Sequence, residues 1–138
     1  MVGGLMQGET NLARLLAGMS PSLDETVYVF AFLPAGSPET VVSAVLMRFA
    51  EAEGTTLVLP REEAERAGLV FTFPCRRIVL EIHSSLEAVG FLAMILPRLA
   101  AASIGVNPVS AFHHDHLFVP EDRAADAMAI LSAIATGA

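Results

Sequence analysis

Apolar and polar positions alternate along this chain with two periods, and each switch from one period to the other marks an element. Glu9 to Gly18 carries Leu12, Leu15 and Leu16 at helical spacing, and the Ser20-Pro21 step beyond Gly18 supplies a stop. Thr26 to Leu33 reads TVYVFAFL, with Tyr28, Phe30 and Phe32 on one side and Val27, Val29 and Ala31 on the other. That is a strand whose two faces are both expected to be covered. Val41 to Phe49 and Thr55 to Leu59 flank the turn signal Glu53-Gly54 and are expected as an antiparallel pair, ended by Pro60. Arg61 to Ala67 reads as a short polar helix closed by Gly68, and Leu69 to Phe73 as a strand stopped by Pro74.

From Arg77 the order repeats in clearer form. Ile78, Leu80 and Ile82 alternate with Val79 and Glu81, a half-buried strand by period two. Ser84-Ser85-Leu86-Glu87 fits a capping box, which predicts a helix with Ser84 as N-cap and Val89, Ala93, Leu96 and Ala100 on one face, kinked or split at Pro97. Ile104 to Phe112 and His116 to Val119 are expected as two strands around a histidine turn. Pro120-Glu121-Asp122 then opens a helix with face Ala124, Ala127, Met128, Leu131 and Ile134. Strand, helix, strand, strand, helix is the split β-α-β plan of ferredoxin-like domains lacking one final strand, and the first half follows it loosely.

Composition narrows the partners. Hydrophobic residues make up 54% of the 138 positions, against about 45 to 50% in ordinary domains, which predicts a self-associating surface. A net charge of −7 with eight Lys plus Arg leaves no basic stripe for a nucleic-acid backbone. The single Cys75 cannot form an internal disulfide, no leader-like segment opens the sequence, and the apolar run from Ala88 to Pro97 is far shorter than the ~20 residues of a membrane helix. A soluble, cytoplasmic protein is the expectation.

The densest chemistry is Phe112-His-His-Asp-His-Leu-Phe-Val-Pro120, which holds His113, His114 and His116 around Asp115. Imidazole titrates near neutrality and is a common metal ligand. This segment and HSSLEAVGF at His83 to Phe91 resemble a family of uncharacterised bacterial tandem ACT-domain proteins, and YVFAFLP at Tyr28 to Pro34 and EAEGTTLVLPREEAERAGL at Glu51 to Leu69 extend the likeness over nearly the whole chain. Ala50 stands after Phe49 where that family's pattern carries an arginine, and Pro97 interrupts a helix usually free of proline. The resemblance implies an α+β fold: tandem ferredoxin-like (βαββαβ) ACT modules with antiparallel sheets and helices on one face, the first over residues 1–74 and the second over 75–138. It also implies a non-catalytic regulatory protein that binds a small molecule, an amino acid above all, needs no cofactor and forms a homo-oligomer, expected as a dimer.

In the split plan the strand after the hairpin lies antiparallel beside the first, so His116 should approach His83 and gather the histidines and Asp115 near the helix start at Ser84. Helix N-H groups suit a carboxylate and Asp115 suits an ammonium, which makes His83, Ser84, Ser85, His113, His114, Asp115 and His116 the candidate ligand-binding set, with no metal assigned. Two other readings stay open: a metal-binding protein using the histidines, which strand alternation would scatter over two faces, and a purely structural dimerisation module. A Ser-His nucleophile at His83 to Ser85, a carboxylate pair at Glu51 and Glu53, and a reactive Cys75 beside Arg76 and Arg77 each have a plainer explanation as cap, hairpin end and junction residue.

Overall fold

A computed structural model describes residues 8–38 and 42–137. The elements run α1 (Leu12–Gly18), β1 (Pro21–Pro34), β2 (Met47–Glu51), β3 (Gly54–Pro60), α2 (Arg61–Arg66), β4 (Val70–Leu80), α3 (Phe91–Ala101), β5 (Asn107–Ser110), β6 (Asp115–Pro120), a 3-10 turn at Glu121–Arg123 and α4 (Ala124–Ala135). The six strands form one sheet in the order β2-β3-β1-β4-β6-β5. The architecture is α+β, as tandem ferredoxin-like ACT modules require. By packing, the chain divides into Glu25–Arg76 and a second unit that joins the described residues up to Asp24 to those from Arg77 on. A module read as a run of sequence and a unit read by packing are therefore different partitions.

The larger unit places α1, α3 and α4 against β4 and β6. Leu15 and Met19 of the first helical segment meet Ile78 and Leu80 of β4, Ile95 and Leu99 of α3, Leu117 and Val119 of β6, and Leu131 of α4, all buried. Spacings of three, four and seven residues put these groups on one stripe of each helix. On β6 the period of two sets Asp115, Leu117 and Val119 on the helix side and His116 and Phe118 on the other. α1 begins where the Asn11 side chain accepts the Arg14 N-H at 3.0 Å, satisfying one of its free donors.

The smaller unit packs Val29 and Ala31 of β1 and Leu57 and Leu59 of β3 on Ala64 of α2. The β2–β3 hairpin closes at Glu51↔Gly54, and a Cβ on Gly54 would stand 2.1 Å from the Leu33 carbonyl oxygen, so only glycine fits there. On the face away from Ala64, Phe30 and Phe73 meet edge to face at 5.8 Å.

Four expectations change. Pro74 does not stop a strand: β4 runs through it, with Phe73 taking a left-handed φ of 58° just before, an irregularity that lets a proline sit in a ladder. Pro97 does not split α3, which is continuous from Phe91 to Ala101. β1 starts at Pro21, five residues before Thr26. β2 is limited to Met47–Glu51, and Val41, where the strand was expected to start, lies outside the described residues. None of the described helices is long and apolar enough to cross a membrane.

Candidate functional site

Asp115 is the pivot of the site. Its helix-side position on β6 leaves the residue 5% exposed, and the β5–β6 register sets Ser110 opposite it. The Ser84 hydroxyl donates to Oδ2 at 2.9 Å and the Ser110 hydroxyl donates to Oδ1 at 2.5 Å. Hydrogen bonds to a charged acceptor are the strong kind. The four polar groups Ser84, Ser85, Ser110 and Asp115 line a cavity of about 170 Å³. Leu86, Ala88 and Gly90 and the first turn of α3, Phe91 to Ala93, line it as well.

That first turn carries free donors. Gly90 is the N-cap, held at φ 90°, and no side chain caps the helix. The first helical bond runs from Met94 N-H to the Gly90 carbonyl at 3.1 Å, so the N-H groups of Phe91, Leu92 and Ala93 have no partner within the helix. Gly90 owes its place to this left-handed conformation, not to close packing, since the nearest atom to a Cβ there is Leu12 Cδ2 at 3.9 Å. The expected capping box at Ser84 does not form. The Ser84 hydroxyl is taken by Asp115, and Ser85 Oγ accepts the Glu87 N-H at 3.0 Å, a local turn in place of a helix start. A helix N-terminus does share the cavity with Asp115, but it begins at Phe91.

A strap from the N-terminal side fixes the Ser84 loop. The Glu9 N-H donates to the His83 carbonyl at 2.8 Å, the Ser85 N-H donates to the Glu9 carbonyl at 3.0 Å, and Glu9 and Ser84 form a parallel bridge. Gly8 lies so close that a Cβ would stand 2.3 Å from both Ser84 C and Ser85 N.

Of the seven candidate residues, Ser84, Ser85 and Asp115 line the cavity. His83 and His113 lie in a ring cluster, their centroids 5.0 Å apart, with Phe112 4.9 Å and His114 6.3 Å from His113. His116 points to the other face of the sheet, where its buried Nδ1 has no hydrogen-bond partner. Burial first, then the charges of Arg77 and His114, push the His116 imidazole below its ordinary value, while Asp115 and Glu81 pull the other way. Among the described residues no group of three or more His, Cys, Asp or Glu is placed to hold a metal ion. Ser110 and the start of α3 escaped the sequence reading. Strand register could have pointed to Ser110, five residues before Asp115, whereas nothing local signalled the helix start.

A second cavity, about 300 Å³, lies in the smaller unit between Glu25 to Val27 and Pro60 to Glu62. It is larger, but none of its lining residues is buried. The Asp115 cavity has a buried charge and convergent donors, which is what a specific polar ligand needs.

Residues 7–76 and 72–133 each match the ACT domain. Among solved structures, a Vibrio cholerae protein of unknown function, described as a possible transport protein, is 36% identical with a TM-score of 0.76, the match covering 88% of this chain and 93% of that one. A protein from Agrobacterium tumefaciens shares the fold at 15% identity and a TM-score of 0.71, over 85% of this chain and 89% of its own. The regulatory subunit of aspartate kinase from Thermus flavus shares it at 8% identity and 0.57, over 84% and 95%. No curated protein matches the chain.

Proposed function

Since the chain belongs to the ACT-domain family, we propose that it is a non-catalytic regulatory protein that binds a small zwitterion, an amino acid, in the Asp115 cavity. The observation that carries this is the buried Asp115 carboxylate, bonded by two serine hydroxyls, sharing a cavity of about 170 Å³ with the uncapped start of α3. An ammonium group pairs with Asp115, and a carboxylate takes the N-H groups of Phe91 to Ala93, where the helix dipole also favours negative charge. The cavity lies below the ~300 Å³ at which drug-sized ligand sites begin, which suits one amino acid and not a nucleotide. Ser84 donates to the Asp115 carboxylate and no imidazole lines the cavity, so acyl transfer by a Ser-His pair is not supported. The shared fold with a regulatory subunit of aspartate kinase supports the regulatory part. The signal passes through a partner enzyme or through self-association of the cytoplasmic protein, expected as a homodimer.

The test is thermal melting of the full chain with each of the twenty amino acids, and with divalent metals with and without chelator. A ligand at 100 times its Kd adds about 2.7 kcal/mol, worth several degrees at this size. At least one amino acid should raise the melting temperature, and Asp115→Asn should abolish that rise. A rise with zinc alone, reversed by chelator, would overturn the proposal in favour of a metal site.

A further inference from the structure

We infer that the amino acid this site selects has an uncharged, apolar side chain. The inference rests on the zwitterion reading and deepens it, and its first support is an inventory of charge. A zwitterion brings one positive and one negative group, and the cavity answers each once, with the Asp115 carboxylate and with the open N-H groups of α3. No Lys, Arg, Glu or His is among the residues that line it. A second ionised group on the ligand would be taken from water with nothing opposite it, which is strongly unfavourable. Acidic side chains lack a cation, and basic ones find the single carboxylate already engaged.

The second support is where the apolar surface lies. The described residues include seven large hydrophobic side chains that are exposed, and Leu46, Phe49 and Val70 belong to the smaller unit. Of the remaining four, Leu86, Val89, Met94 and Phe112, Leu86 lines the cavity and is 64% exposed. Ala88 and Leu92 carry this apolar surface inward, since both line the cavity and pack on the core. Apolar lining beside these polar groups marks a place where a ligand's own apolar part completes the surface.

Isothermal titration of the full chain with glycine, L-alanine, L-valine, L-leucine, L-glutamate and L-lysine tests this. Affinity should rise from glycine to L-leucine by about fourfold for each methylene that becomes buried, and L-glutamate and L-lysine should bind at least ~10-fold more weakly than L-leucine. Leu86 lines the cavity and is 64% exposed, so Leu86→Ser will fold. It should reduce the ratio of L-leucine to glycine affinity several-fold. If L-glutamate or L-lysine binds as tightly as L-leucine, the apolar preference is wrong and the zwitterion site survives. If affinity is flat from glycine to L-leucine, the preference is likewise wrong. If none of the six binds, both the preference and the site fall.

Discussion

Gly8→Ala sets two effects of opposite sign against each other. Gly8 does not use a left-handed φ, so alanine suits its backbone and would stabilise by about 0.4–1 kcal/mol through the unfolded chain alone. Against this, the new Cβ would stand 2.3 Å from Ser84 C and Ser85 N and 2.6 Å from Ser84 O. All three are backbone atoms and none can swing aside. The strap must move off the Ser84 loop, losing the Glu9 to His83 and Ser85 to Glu9 bonds, each worth about 1 kcal/mol net. Because the strap can detach, the penalty stops near the sum of those contacts, and the clash wins by about 1–2 kcal/mol. Equilibrium urea unfolding should show that loss, and hydrogen exchange should show the Ser85 amide deprotected. Gly105→Ala is the control: nothing lies within 4 Å of its Cβ and its φ is not left-handed, so it should gain about 0.4–1 kcal/mol. A Gly8→Ala protein as stable as the wild type, with Ser85 still protected, would refute the strap.

Leu117 is fully buried in the larger core, so Leu117→Ala should cost about 2–5 kcal/mol in urea unfolding; a loss under about 1 kcal/mol would mean that core is loosely packed. Burial pushes the Cys75 thiol up to about 12, so it should resist a thiol reagent at pH 8 in the native protein and react fully in urea. His116 has its folded value lowered from 6.5, so the unfolded chain takes up its proton first. Its contribution is then complete above pH 6.5 and is lost as pH falls from there toward the lower folded value. His116→Gln should flatten the urea-midpoint profile in that window, and an unchanged slope would contradict the assignment.

What was legible in the sequence is what packing imposes repeatedly. Leu12, Leu15 and Leu16 mark α1, Ile78 and Leu80 mark the second half of β4, and the turn between Ser110 and Asp115 follows from two short strands around His113 and His114. The expected gathering of His116 with Asp115 fails because β6 already begins at Asp115, and the alternation then sets the two on opposite faces. What was not legible is each choice made by a distant partner. Ser84 looks like a helix cap because its local pattern is a capping box, but the acceptor that claims its hydroxyl is 31 residues away. With Ser84 diverted and the strap adding a bridge, the helix starts only where Gly90 turns left-handed. Pro74 reads as a stop until β4 accommodates it through the φ of Phe73.

The most direct measurement is an amide nitrogen–proton NMR titration of the full chain with an equimolar mixture of L-amino acids. The largest shifts should fall on Ser84, Ser85, Leu92, Ala93, Ser110 and Asp115, and Asp115→Asn should remove them. Shifts confined to Glu25–Val27 and Arg61–Glu62, or no shifts at saturating concentration, would contradict a zwitterion site at Asp115.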